Sequence, residues 1–273
     1  MVCSPTPSRI EPTPWESFNF PELAPISREQ VDFTVHRFQA CITQLAHGSP
    51  LPFIHHTSYR ADIPQGYQDL LGVSAMYCQK GPDNQQLVFS MLDRSISRLI
   101  SSSSSWGFED LLLGTQALIF YQIIRLFDDS SIRQRANAER QLGILDAWTM
   151  RLQNMGTACR DGLLPNRSTY EHWVAMESAR RTVLVSVMLQ AIYSLLKNGF
   201  CRSVPLMATL PVSLDGKLWG LSEDNWWQAT SGAENDLVTY REYVKKWSDG
   251  DPLQIDAYET MILVACEHNA ARM

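Results

Sequence analysis

The sequence has little of what a nucleic-acid-binding surface requires. Only five of its 23 basic residues are lysines, and the arginines are scattered rather than gathered in a stripe or run. Acidic residues outnumber basic ones, which gives a formal net charge of −6. Because phosphate binding depends on concentrated positive charge, we expect no direct contact between this chain and nucleic acid.

Closely spaced cysteines are also lacking. Zinc sites in proteins use paired ligands two to four residues apart, whereas the cysteines here lie 37 or more residues from one another. The six positions are Cys3, Cys41, Cys78, Cys159, Cys201 and Cys266. We therefore expect no metal site and no cofactor. No signal-peptide pattern precedes them, so they are interpreted as reduced intracellular thiols.

Motifs of known catalytic chemistry are missing as well. The sequence contains no phosphate-binding glycine loop, no H-E-x-x-H zinc pattern and no G-x-S-x-G nucleophile elbow. We therefore expect a protein that is not an enzyme. An enzyme on a helical scaffold stays the alternative, because residues distant in sequence can meet in space. The longest uncharged run, residues 182–196, is too short and too polar to span a bilayer.

What the sequence does contain is helical periodicity from residue 27 onward. Residues 1–26 carry six prolines among few apolar residues, a composition typical of a disordered arm. Residues 27–273 are predicted to form one all-α multi-helix bundle. Predicted helices begin at Ser27, which has capping-box spacing to Gln30, and at Ser168 or Thr169. The others are expected at 65–79, from Asn84, at 106–127, up to 156, at 234–247 and at 253–269, with the five serines 101–105 as a flexible connector and an irregular stretch after Gly199.

The helix that follows Tyr170 organises this prediction. On a 3.6-residue period, Trp173, Arg180 and Val183 share a face that is otherwise apolar, with Arg181 beside it. Arg180 is therefore predicted to be the buried arginine and to need a carboxylate partner. Glu177 stands three and four residues before the two arginines, the order that favours helical ion pairs. A second interpretation, an anion-binding arginine pair, stays open.

A tryptophan-rich segment, residues 218–227, is the candidate for recognition of a partner or effector. Its indoles are Trp219, Trp226 and Trp227. They can anchor a long loop onto the helices, or they can line an apolar pocket. Both interpretations fit the sequence.

Several segments together resemble a known family. These are the W-x-x-x-E-x-x-R-R-T segment from Trp173, the L-P pair at 210–211, the tryptophan pairs, and the apolar and amphipathic runs at 111–129 and 133–149. In this order they resemble the fungal-specific regulatory domain of zinc-cluster transcription factors, over roughly residues 27–270.

The resemblance implies an all-helical regulatory domain that acts in the nucleus, on a secondary-metabolite or other local pathway. It also implies a DNA-binding regulator or a homodimer partner, or a small-molecule effector. The chain departs from the family in one respect, because its cysteines do not form the compact basic zinc cluster. It is thus expected to be a regulator without that cluster, or a gene-model fragment of a longer factor.

Overall fold

The computed structural model describes residues 26–59, 63–158, 167–230, 237–250 and 256–264. These ranges form a multi-helix bundle, which confirms the predicted all-α class. The helices within them are α1 (Arg28–Ala46), α2 (Gln65–Cys78), α3 (Gln85–Ser102), α4 (Phe108–Phe127), α5 (Ile132–Ala158), α6 (Thr169–Asn198), α7 (Val204–Thr209), α8 (Glu223–Thr230), α9 (Tyr240–Ser248) and α10 (Ala257–Val264). The predicted arm, apart from its last residue, lies outside the described residues.

Helices α4 and α6 form the centre of the bundle. α4 packs against α1, α2, α5 and α6, and its side chains are buried on every face from Leu111 to Phe127. Both helices are long and apolar enough to cross a membrane by length and composition alone. However, the bundle itself buries 94% of the apolar window in α4 and 72% of that in α6. Such burial is what the core helices of a globular fold show.

Capping side chains fix where the principal helices begin. The Ser27 hydroxyl accepts from the Gln30 amide at 3.2 Å, and the Gln30 side chain accepts from the Ser27 amide at 2.7 Å, so the predicted capping box is confirmed. Ser168 and Glu171 form the same reciprocal pair at the start of α6. α6 ends at Asn198 and is capped by Gly199, whose φ of +77° lies in the left-handed region that glycine adopts without strain.

The prediction of a flexible connector at the five serines is wrong. α3 extends through Ser102, and a 3-10 turn covers Ser103–Ser105. The hydroxyls of Ser101 and Ser103 donate to the carbonyl oxygens of Arg98 and Ile100, each at 2.9 Å. Such local bonds let serine follow the backbone of the preceding helical turn.

The stretch after Gly199 is more regular than predicted. It contains α7, a 3-10 turn at Gly216–Gly220, and α8. The prediction of a helix at 234–247 is wrong at its start, because Leu237–Thr239 forms strand β2. This strand pairs antiparallel with β1 (Pro211–Ser213). The β-branched Val238 and Thr239 favour this extended backbone, and Thr239 then caps α9.

Candidate functional site

Arg181, rather than Arg180, is the buried arginine of α6. The Arg181 side chain is 1% exposed, and its Nε donates to Glu177 Oε1 at 2.9 Å. Its Nη1 also donates to the carbonyl oxygen of Pro52 at 3.1 Å. The Arg180 side chain is 20% exposed and reaches the other oxygen of Glu177, Oε2, at 2.9 Å.

The prediction that Arg180 occupies the buried face is therefore wrong, while its pairing with Glu177 is confirmed. The error has a tertiary cause. The loop at Pro52, the 3-10 turn that carries Trp219, and α10 all cover the Arg181 side of α6. The periodicity of α6 alone does not show which of its faces these distant segments will cover.

Two aromatic rings enclose the Arg181 guanidinium. Its central carbon lies 4.3 Å from the ring centroid of Trp219 and 4.2 Å from that of Tyr258 on α10. These are cation–π distances, and the burial of the cation strengthens such contacts. Arg181 thus joins α6 to two segments that are distant in sequence. Its contacts occupy it fully, so it does not form an anion site open to solvent.

Three carboxyl groups lie near Arg181, those of Glu177, Asp256 and Glu259. The pKa is shifted in opposite directions at Glu177 and Glu259. Burial alone raises the pKa of Glu177, but Arg180 and Arg181 outweigh that effect and lower it below the ordinary value. Glu259 is 2% exposed, and its Oε1 lies 3.7 Å from Arg181. Burial, followed by a hydrogen bond with Asp256, raises the pKa of Glu259 to about 8. Arg181 lies 2.9 Å from Glu177 but 3.7 Å from Glu259, and its attraction does not offset the burial of Glu259.

The raised pKa of Glu259 predicts a specific pH dependence. Below the ordinary pKa of 4.5 the carboxyl is neutral in both states; above it, only the folded state keeps the proton, up to about pH 8. The stability that Glu259 contributes is therefore lost as pH rises through this window. Glu259→Gln, which keeps a neutral side chain, should gain in free energy of unfolding relative to the wild type between about pH 5 and pH 8. Urea denaturation of both proteins across that range measures the difference, and parallel pH profiles would contradict it.

The tryptophan-rich segment divides into buried and exposed residues. Trp226 is 6% exposed and lies with Trp173 and Tyr170 in a second apolar cluster, with ring centroids 5.6 Å from each of the two. Trp219 is 8% exposed, and its Nε1 donates to the carbonyl oxygen of Leu51 at 3.3 Å. Trp227 is 47% exposed. Trp219 and Trp226 are thus buried anchors, whereas nearly half of the Trp227 side chain is open to solvent.

A cleft of about 740 Å³ lies beside this cluster, where the N-terminal turns of α4, α6 and α8 meet the loop at 56–59. Its apolar wall includes Leu112 and Leu113 of α4 with Val174 and Ala175 of α6. Among the lining residues that the structure describes, none is a tryptophan. Sequence reasoning missed the cleft because its walls come from four segments, each of which reads as an ordinary helix start or loop.

Metal ligands do not converge in the described part of the chain, where no group of three or more His, Cys, Asp or Glu side chains is arranged to hold an ion. Cys41, Cys78 and Cys201 are free thiols. The other three cysteines lie outside the described residues. The expectation that no metal or cofactor is bound stays a prediction.

Comparison with known proteins gives one informative similarity. No family model matches the chain. No solved structure matches it either. The chain is 31% identical to the transcription factor gsfR2 of Penicillium aethiopicum over 213 residues, which cover 74% of this chain and 51% of that protein. It thus spans about half the length of this relative. Over 74% of its own length, the chain is therefore similar to part of a fungal transcription factor.

Proposed function

We propose that the chain is a fungal transcriptional regulator that acts through proteins or small molecules rather than through its own contact with DNA. The observation that carries this proposal is the 31% identity to a transcription factor over 213 residues. The excess of acidic residues supports the second half, because a net negative charge repels the phosphates of DNA. The chain would then correspond to the helical regulatory part of a zinc-cluster factor, without the cluster itself.

The proposed setting is the nucleus, and the proposed targets are genes of a secondary-metabolite or other local pathway. A partner regulator that binds DNA, or a second copy of this chain, would bring the domain to its promoters. The exposed Trp227, whose ring centroid lies 5.2 Å from that of the buried Trp226, is the proposed contact for such a protein partner. Aromatic side chains are enriched where protein partners bind, because they bury large areas at low entropic cost.

Deletion of the gene in the source organism tests the proposal directly. Transcript profiling should show a restricted set of genes whose expression changes, and restoration by the wild-type gene. A complementing gene with Trp227→Ala should restore expression less well, at equal protein abundance, if this ring contacts the partner. Exposed Met150→Ala on α5 provides a matched control for loss of a surface apolar group. Unchanged transcripts in the deletion strain would contradict the proposed function.

A prediction about DNA follows from the charge. The purified chain should show no sequence-dependent shift of duplex DNA at physiological salt, because it has a net charge of −6 and its arginines are dispersed. Electrophoretic mobility assays with promoter fragments of the affected genes measure this. Sequence-specific binding with nanomolar affinity would refute the prediction.

A further inference from the structure

The cleft between the N-terminal turns of α4, α6 and α8 has the dimensions of a small-molecule site. Its volume of about 740 Å³ falls within the range of pockets that enclose drug-sized ligands. The floor is apolar and fixed in place, because Leu112, Leu113, Val174 and Ala175 are each 6–7% exposed and belong to the packed bundle. A ligand that enters would therefore meet a preformed surface rather than a mobile one.

The mouth of the cleft is acidic. Among the described lining residues, the carboxylates are Glu109, Asp110, Glu171 and Glu223, beside the cation Arg167 and the imidazole of His56. Arg167 is already engaged by Glu109, to which its Nε and Nη2 donate at 2.8 and 2.6 Å. Glu171 is engaged in the capping box of α6, where it accepts from the Ser168 amide at 2.9 Å. The two remaining carboxylates decide what the mouth can bind.

Asp110 and Glu223 are exposed, and no lysine or arginine among the described residues forms an ion pair with either of them. Glu223 accepts a long bond of 3.4 Å from the Ser168 hydroxyl. Ionised carboxylates are acceptors alone, so a complementary ligand must present donors, and a protonated amine supplies both donors and charge. An anion would be repelled by the same groups.

We propose that this cleft binds a small organic cation, with an apolar body against the α4–α6 wall and a protonated amine at Asp110 and Glu223. The proposal rests on the proposed regulatory function, for which such a molecule would be the effector. It assigns the effector to a place apart from the tryptophans, since Trp226 is already packed in the neighbouring cluster.

Three probes that share one apolar body separate charge from hydrophobicity. They are 2-(1-naphthyl)ethylamine, 2-(1-naphthyl)ethanol and 1-naphthylacetic acid, tested on the full chain by isothermal calorimetry and ligand-observed NMR. The amine should bind about tenfold more tightly than the alcohol, and the acid most weakly. Equal affinities for the three probes, or no binding by any of them, would overturn the proposal.

Matched variants locate the binding. The double variant Asp110→Asn with Glu223→Gln should bring the affinity for the amine down to that for the alcohol, a loss of about tenfold, and leave the alcohol unaffected. The control, Asp146→Asn with Asp224→Asn, removes the same charge from exposed residues that do not line the cleft, and should keep the preference for the amine. Circular dichroism and the thermal midpoint establish that both variants fold. An equal loss of affinity in the control would mean that net charge, and not this cleft, selects the amine.

These results are independent of the transcript experiment. If deletion of the gene changes transcripts and the amine does not bind, the cleft proposal alone fails. If the amine binds at Asp110 and Glu223 and no transcript changes, the regulatory function fails and the binding site stands.

Discussion

Replacement of Arg181 by alanine should lower the free energy of unfolding by about 3–5 kcal/mol. The side chain is 1% exposed, and its loss leaves Glu177, which is 4% exposed, with only the partly exposed Arg180 as its partner. It also removes the cation between the rings of Trp219 and Tyr258 and the donor to Pro52. The loss of a fully buried ion pair, together with its aromatic and backbone contacts, costs far more than the loss of a partly exposed one. Chemical denaturation followed by circular dichroism measures the effect.

Arg180→Ala is the matched control, because Arg180 binds the same carboxylate from a more exposed position. It should cost about 1 kcal/mol, since Arg181 still neutralises Glu177. A second comparison separates charge from packing. Glu177→Gln together with Arg181→Met replaces the ion pair by neutral groups of similar size and should recover part of the loss. Equal midpoints for Arg180→Ala and Arg181→Ala would contradict the assignment of Arg181 as the buried residue.

The start and centre of the fold were predictable because local interactions determine them. Ser27 with Gln30 and Ser168 with Glu171 each satisfy backbone groups within one helical turn, so their spacing alone indicates where a helix begins. The charge-free stretches of α4 and α6 are apolar on nearly every side, a pattern that indicates helices buried in a core. These features depend on residues a few positions apart, which a single sequence shows directly.

The environment of Arg181 was not predictable, because it is built from segments far apart in the chain. Pro52 lies 129 positions before Arg181, and Tyr258 comes from a helix that packs near it only after folding. The apolar pattern of α6 shows that the helix is buried on most sides, and therefore cannot rank Arg180 against Arg181. The same reason explains why the cleft was missed. Each of its carboxylates stands in or beside the first turn of a helix, where acidic residues are common in any case.

Both candidate recognition features adjoin α8, since Glu223 lines the cleft and Trp227 carries the exposed ring. The cluster of Trp173, Trp226 and Tyr170 connects α8 to the first turns of α6, and Tyr170 also lines the cleft. The Tyr170 hydroxyl donates to the carbonyl oxygen of Leu221 at 2.9 Å, which holds the segment before α8 in place. Tyr170 therefore belongs both to the lining of the cleft and to the contacts that hold α8 against α6.

The tryptophan pair at 226–227 allows packing and recognition to be separated in one experiment. Trp226→Ala should destabilise the protein by about 3–5 kcal/mol, because it removes a ring that is 6% exposed and contacts both Trp173 and Tyr170. Trp227→Ala should change the free energy of unfolding by about 0.5 kcal/mol or less, because nearly half of that side chain already faces solvent. Denaturation midpoints measure both variants. A stable Trp227→Ala protein with altered transcript levels in the source organism would assign recognition to this ring, whereas a loss of stability as large as that of Trp226→Ala would remove Trp227 as a candidate contact for a partner.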